Sequence, residues 1–174
     1  PVEQQELIAS ELPGRNMKLG PFVLLAEFGK KSFVTRDKAM TDAILQKMRD
    51  GVETMKRVGA KLALVVPGRL DESLAWDYQT ANVVDNLKRC VDVVEPVGLV
   101  MVIESLNAWK DHPGMFLSKI PQAFQICHSI GSPSCKILFD MYHQQISEGN
   151  IIPNIDRAWS EVAYLQIGDN PGRK

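Results

Sequence analysis

Cysteine and histidine are scarce in this chain, three of each among 174 residues. Cys90, Cys127 and Cys135 are odd in number and lack the paired spacing of a zinc site, so neither a disulfide framework nor a structural zinc module is indicated. Buried thiols in a reducing compartment are expected instead. There is no excess of basic charge: 20 Lys and Arg against 21 Asp and Glu leave a net charge of −1, and the cations are scattered, which argues against a nucleic-acid partner. Long apolar runs are missing too. The longest are about five residues, far short of the ~20 that a spanning helix needs, so no membrane span is expected. No secretory leader is visible at the start, and a cytoplasmic location is expected, with export after removal of a leader left open. The phosphate-binding patterns G-x-G-x-x-G and G-x-x-x-x-G-K are absent, which leaves nucleotide binding unsupported.

What is present is ordinary in amount and regular in order. With 45% hydrophobic and 24% charged residues, the chain reads as one globular domain, residues 1–174, with a sizeable core. Short apolar runs alternate with amphipathic stretches. A helical pattern with Leu7, Ile8 and Leu12 on one side is halted by Pro13 and Gly14. A strand is expected within Met17 to Phe28, with Val23 to Ala26 as its buried run, then a helix from Asp37 to Gly59 carrying Met40, Ile44, Met48, Val52 and Met55 at helical spacing. Leu62 to Val66 is the second strand. Asp77 to Glu95 is the next helix, with Ala81, Val84, Leu87, Val91 and Val94 expected inward and Gly98 beyond its end. A strand over Leu99 to Ile103, a helix over Met115 to Ile130 stopped by Gly131, a strand over Ile137 to Asp140, a short helix over Asn154 to Glu161 and a strand over Tyr164 to Gly168 complete the series. Five strands alternating with helices predict a parallel α/β sheet, and the Val and Ile enrichment of the runs predicts strands covered on both faces.

Polar residues recur where the runs stop. Glu27, Glu104, Asp140 and Gln166 lie near successive strand ends, the end at which parallel α/β folds build their sites. Such a ring suits an inward-facing barrel better than an open crevice. His143 follows Asp140 by three residues, close enough to reach the same place.

Four segments in register, VIESLN (Val102 to Asn107), DHPGMFL (Asp111 to Leu117), ILFDMYHQQISEGN (Ile137 to Asn150) and LQIGDNPGRK (Leu165 to Lys174), resemble successive strand ends of a known family. It is the hydroxypyruvate isomerase-like branch of the sugar isomerase and epimerase superfamily, whose fold is the xylose isomerase-like TIM barrel. The resemblance implies a TIM-barrel-type (β/α) array in which this chain supplies about five of eight strands, lacking the first strand and the last two βα units. It also implies a divalent cation held by Glu104, Asp140 and Gln166, with a further glutamate of the eighth strand that has no counterpart here. His143 and Arg173 match the family's substrate contacts, and Glu104 doubles as the acid/base group.

Hard oxygen donors of this kind suit magnesium or manganese better than zinc. The implied reaction is proton transfer in a small sugar or hydroxyketone, giving isomerisation or epimerisation through an enediolate. An inosose dehydratase-like lyase of the same superfamily is an alternative, as is a non-catalytic barrel fragment that self-associates. Five strands leave two open edges, so either these residues belong to a longer polypeptide, which is the expectation, or an open edge pairs with another copy in a homo-oligomer. Zinc-dependent endonucleases of the superfamily are disfavoured by three histidines and a charge of −1. Glu27 is expected to be structural or to support the site from behind, and Trp109 and Tyr142 to flank the site. His112, in a loop segment, and His128, on a helix, are left outside it.

Overall fold

A computed structural model describes residues 2–173; Pro1 and Lys174, the outer ends of the first helical pattern and of the last matched segment, lie outside the described residues. Five strands, β1 (Phe22–Leu25), β2 (Leu62–Val65), β3 (Val100–Glu104), β4 (Cys135–Asp140) and β5 (Val162–Gln166), form one parallel sheet in chain order. Helices α1 (Val2–Gly14), α2 (Lys38–Val58), α3 (Trp76–Val94), α4 (Ile120–Ile130), α5 (Met141–Ser147) and α6 (Ile151–Ala158) precede or connect them. The three glycines expected beyond helix ends, Gly59, Gly98 and Gly131, all take the left-handed conformation that ends a helical segment.

Two-residue periodicity divides the sheet into two faces. Leu25, Ala63, Val65, Met101, Ile103, Ile137 and Phe139 pack under the helices with Ile44, Met48, Leu87 and Ile126. The other face gathers a smaller cluster, Leu64, Val66, Val102 and Leu138, against which Tyr164 packs. Among the described residues no helix packs into this second cluster. The sheet curls around it, so that a Cβ placed on Gly20, just before β1, would meet the Tyr164 hydroxyl of β5 at 2.9 Å. Only glycine allows that approach without displacing the phenol.

Several expectations are corrected by the packing. The strands at the two edges are not covered on both faces. Val23 is 67% exposed because it lies in register with Leu64 on the helix-free side, and β5 alternates half-buried with exposed residues, leaving Leu165 and Ile167 at the surface. Helix α1, expected to carry Leu7, Ile8 and Leu12 on one side and to halt at Pro13 and Gly14, buries no residue and runs through Pro13 to Gly14. In α3 the buried stripe is rotated from the expected one: Ala81 is exposed and Val84 and Val91 are half-buried, while Gln79, Asn82, Val83, Asn86, Leu87, Cys90 and Val94 face in.

The reason for that rotation is polar. Asn82 donates to the Val34 carbonyl at 2.8 Å, and Asn86 donates to the carbonyls of Phe33 and Thr35 at 2.9 and 3.0 Å. Backbone carbonyls of the loop after β1 would otherwise be buried without partners. Helix α4 begins at Ile120, not at Met115, because Met115 to Lys119 stays extended: Met115 bridges Arg69, and Leu106 donates its N–H to Leu117. Helix α5 was not anticipated, and α6 begins at Ile151 rather than Asn154, after Asn150 turns the chain in a left-handed conformation. The last strand lies at Val162–Gln166, two residues before the expected start. All three cysteines are buried free thiols, as expected.

The polar stripe of α3 can be measured. Asn86→Ala should destabilise the chain by about 2–4 kcal/mol, because two buried carbonyls and the Thr41 hydroxyl lose a partner, whereas Ala81→Lys should be neutral. Urea unfolding midpoints that rank the two variants the other way would contradict the observed helix rotation.

Candidate active site at the strand ends

The register decides which strand-end side chains share a face. Glu104 pairs with Leu138 and Asp140 pairs with Gln166, so Glu104, Asp140 and Gln166 all point to the helix-free side, continuing the rows of Val102, Leu138 and Tyr164. Glu104 is 7% exposed and Asp140 4%. Glu104, Asp140 and His143 each offer an atom within 4.8 Å of the other two, a spacing compatible with one cation. Gln166 is half-buried beside Asp140, and its side chain makes no hydrogen bond among the described residues. The structure therefore brings four of the expected site residues to one place.

Asp140 is the last residue of β4 and the N-cap of α5. Its Oδ1 accepts from the backbone N–H groups of Tyr142 at 2.8 Å and His143 at 3.2 Å. This cap turns the chain so sharply that the imidazole of His143 folds back over the strand end, with Nε2 3.9 Å from Asp140 Oδ2 and 3.8 Å from Glu104 Oε1. Neither distance is a hydrogen bond. Arg173 lies with its guanidinium 4.7 Å from the centre of the Tyr142 ring, and its charge acts on Glu104 in the direction that favours ionisation.

Two buried carboxylates without a basic side-chain partner are electrostatically expensive. Burial, and then the charge of Asp140, push the Glu104 carboxyl up to about 7, with Arg173 offsetting part of the shift. Burial holds the His143 imidazole below its ordinary value, and the charges of His112 and Arg173 act in the same direction against that of Asp140. Among the described residues no lysine or arginine forms an ion pair with Glu104 or Asp140. An uncompensated acidic pair flanked by a glutamine amide is the donor set that a divalent cation would satisfy, so the residues fit such an ion.

The loop after β3 contributes groups that the sequence reading passed over. Asn107 is fully buried and bonds both His143 and Asp111, and His112 stands between Phe28 and His143 with ring centroids 5.0 and 5.3 Å away. His112 is thus at the site, contrary to its exclusion as a loop residue. The usable signal was its position: it follows a strand's carboxyl end, inside a matched segment. His128 stays on α4 beside Glu161, as expected. Glu27 pairs with Lys30 at 2.8 Å and reaches Ser32 at 3.3 Å, in keeping with a structural role. Tyr142 walls the site, 3% exposed against His143, but Trp109, 84% exposed, does not.

Comparison with known proteins supplies a context for this geometry. Residues 8–174 match the model of a family described as xylose isomerase-like TIM barrel. Hydroxypyruvate isomerase of Escherichia coli K12 is 28% identical over 132 residues, covering 74% of this chain and 51% of the relative. The 2-oxo-tetronate isomerase of Cupriavidus necator is 31% identical over 93 residues, covering 53% of this chain and 35% of the relative. Among solved structures, the AP endonuclease, family 2, from Brucella melitensis superposes with a TM-score of 0.83 at 18% identity, over 96% of this chain and 65% of that one. That likeness is one of fold. The chain spans about half the length of the first curated relative and less of the second.

The Glu104 shift predicts a pH-dependent stability. A carboxyl whose folded value is raised contributes stability that is complete below its unfolded value, about 4.3, and is lost as pH climbs through about 7. In chelator, Glu104→Gln should therefore gain on the wild type by roughly 2–3 kcal/mol between pH 4 and pH 8. Paired denaturation curves that keep a constant separation across that range would show that the acidic pair is not strained.

Proposed function

The chain belongs to the xylose isomerase-like TIM barrel family, and from that premise we propose that it carries most of the site of a divalent-metal-dependent isomerase or epimerase acting on a small sugar or hydroxyketone. The observation that carries this reading is the convergence of Glu104 and Asp140, at adjacent strand ends, with His143 of α5. The resemblance to hydroxypyruvate isomerase and 2-oxo-tetronate isomerase supports a substrate with a carbonyl beside a hydroxylated carbon.

Glu104, Asp140 and Gln166 would hold the cation, and their oxygen donors favour magnesium or manganese. The ion's contribution, once bound, is to polarise a carbonyl oxygen and so acidify the neighbouring C–H. Every other part of the reaction falls to side chains of this protein. Glu104, buried and titrating near neutrality when no ion is present, is placed to take a proton from one carbon and return it to the next, or to the opposite face of the same carbon. His143 and Arg173 orient the substrate's oxygens, and Arg173 adds a positive charge where negative charge develops. Asp140 keeps the α5 cap closed, so the imidazole does not drift during the transfer.

Asp140→Asn separates the cap from the charge, since asparagine caps a helix as well as aspartate does. It should keep the cap, raise stability above neutral pH by relieving the repulsion on Glu104, and weaken manganese binding by at least about tenfold, read by calorimetry. Exchange of substrate C–H for deuterium, followed by NMR on hydroxypyruvate and a panel of ketoses, should fall with it and be abolished by chelation. Exchange that survives chelation would overturn the metal-dependent reading.

A further inference from the structure

The loop after β3 fixes more than the position of His143. Asn107 Oδ1 accepts from the backbone N–H groups of Lys110 at 3.1 Å and Asp111 at 2.9 Å, so the other end of its amide must be the NH2 group. That NH2 donates to Asp111 Oδ2 at 2.8 Å and lies 2.7 Å from His143 Nδ1. The backbone N–H of Asn107 points at the same nitrogen, 3.3 Å away. A backbone N–H can only donate. Both groups facing Nδ1 are therefore donors, and the nitrogen between them must present its lone pair.

The proton of the neutral ring then sits on Nε2, which faces Glu104 and Asp140 from 3.8 and 3.9 Å without bonding either. To bind a cation through Nε2 the ring would have to move its proton to Nδ1, between two N–H groups with no acceptor to receive it. To bind through Nδ1 it would have to displace Asn107 from a fully buried contact. We propose that Asn107 is a positioning residue that locks His143 as the neutral Nε2–H tautomer, so that the imidazole is a hydrogen-bond donor in the site and not a ligand of its cation.

This separates proximity from ligation. Glu104, Asp140 and His143 stand within reach of one ion, yet only the two carboxylates have lone pairs to give it, which leaves a vacancy that the half-buried Gln166 amide oxygen can occupy. It also gives His143 a task. Its unspent Nε2–H points into the gap between the carboxylates, where an oxygen that gains negative charge would receive it at no cost in reorganisation. That second consequence rests on the isomerase reading; the tautomer does not.

Long-range proton–nitrogen correlation spectra of the chain labelled with 15N-histidine report the tautomer directly, with the His143 signals assigned by their loss in His143→Gln. At pH 7 Nδ1 should resonate as an unprotonated nitrogen and Nε2 as a protonated one, and stoichiometric Zn2+, an ion well suited to imidazole, should leave that pattern in place. Asn107→Asp replaces the NH2 donor with an acceptor and should put a proton on Nδ1. A wild-type ring protonated at Nδ1, or an Nε2 that loses its proton when Zn2+ is added, would overturn the proposal. None of these readouts depends on turnover, so the isomerase reading can fail while the tautomer stands, and the reverse.

Discussion

The two oxygens of Asp140 have different employments, and the site depends on the division. One is spent inside the protein, accepting the first N–H groups of α5 and bending the chain back over the end of β4. The other is left facing Glu104 and His143. Were both used by the cap, the acidic pair would dissolve; were neither, His143 would sit on an unanchored loop. Burial, with the charge of that second oxygen added to it, pushes Glu104 up to about 7, and the tension is tolerable because it is confined to the strand ends, where an ion or a proton can relieve it.

Much of this was legible in the residues. Short Val- and Ile-rich runs alternating with helices that end at glycine made the five parallel strands readable, and acids at the ends of two of them pointed to Glu104 and Asp140. The less legible parts were those settled by side chains meeting across the fold. Nothing in the spacing of Ala81, Val84 and Val91 reveals that α3 is turned by two asparagines seeking carbonyls of a distant loop. Likewise, α5 is seven residues long with a cap supplied by a strand's last residue, and a hydrophobic period needs a longer stretch to be seen. His112 is a loop residue as expected, but its place at the site was hidden because its partners, Phe28 and His143, are remote in sequence.

The same limit governs the edges. Val23, Leu165 and Ile167 belong to apolar runs that read as buried strands, and the period of those runs is correct. Their exposure follows from position in the sheet: among the described residues β1 and β5 are the edge strands, so side chains that a further strand or helix would cover in a whole barrel face outward. An apolar pattern specifies which face a residue takes, whereas the cover on that face is a property of the assembly.

Three loops at the site end are sewn together through their backbones. Arg69 donates to the carbonyl of Lys30, Phe33 to that of Pro67, Leu70 to that of Gly114 and Phe116 to that of Gly68. Gly68 is a tight stitch against backbone, since any Cβ there would lie 2.6 Å from the Lys30 carbonyl oxygen. The seam makes the rim of the site behave as one plate rather than as three fingers. Change in what the site accepts is thereby steered toward side chains that stand clear of the seam, such as Trp109, which crowns the bulge that Asn107 pins at its base and is free to vary without touching those backbone bonds.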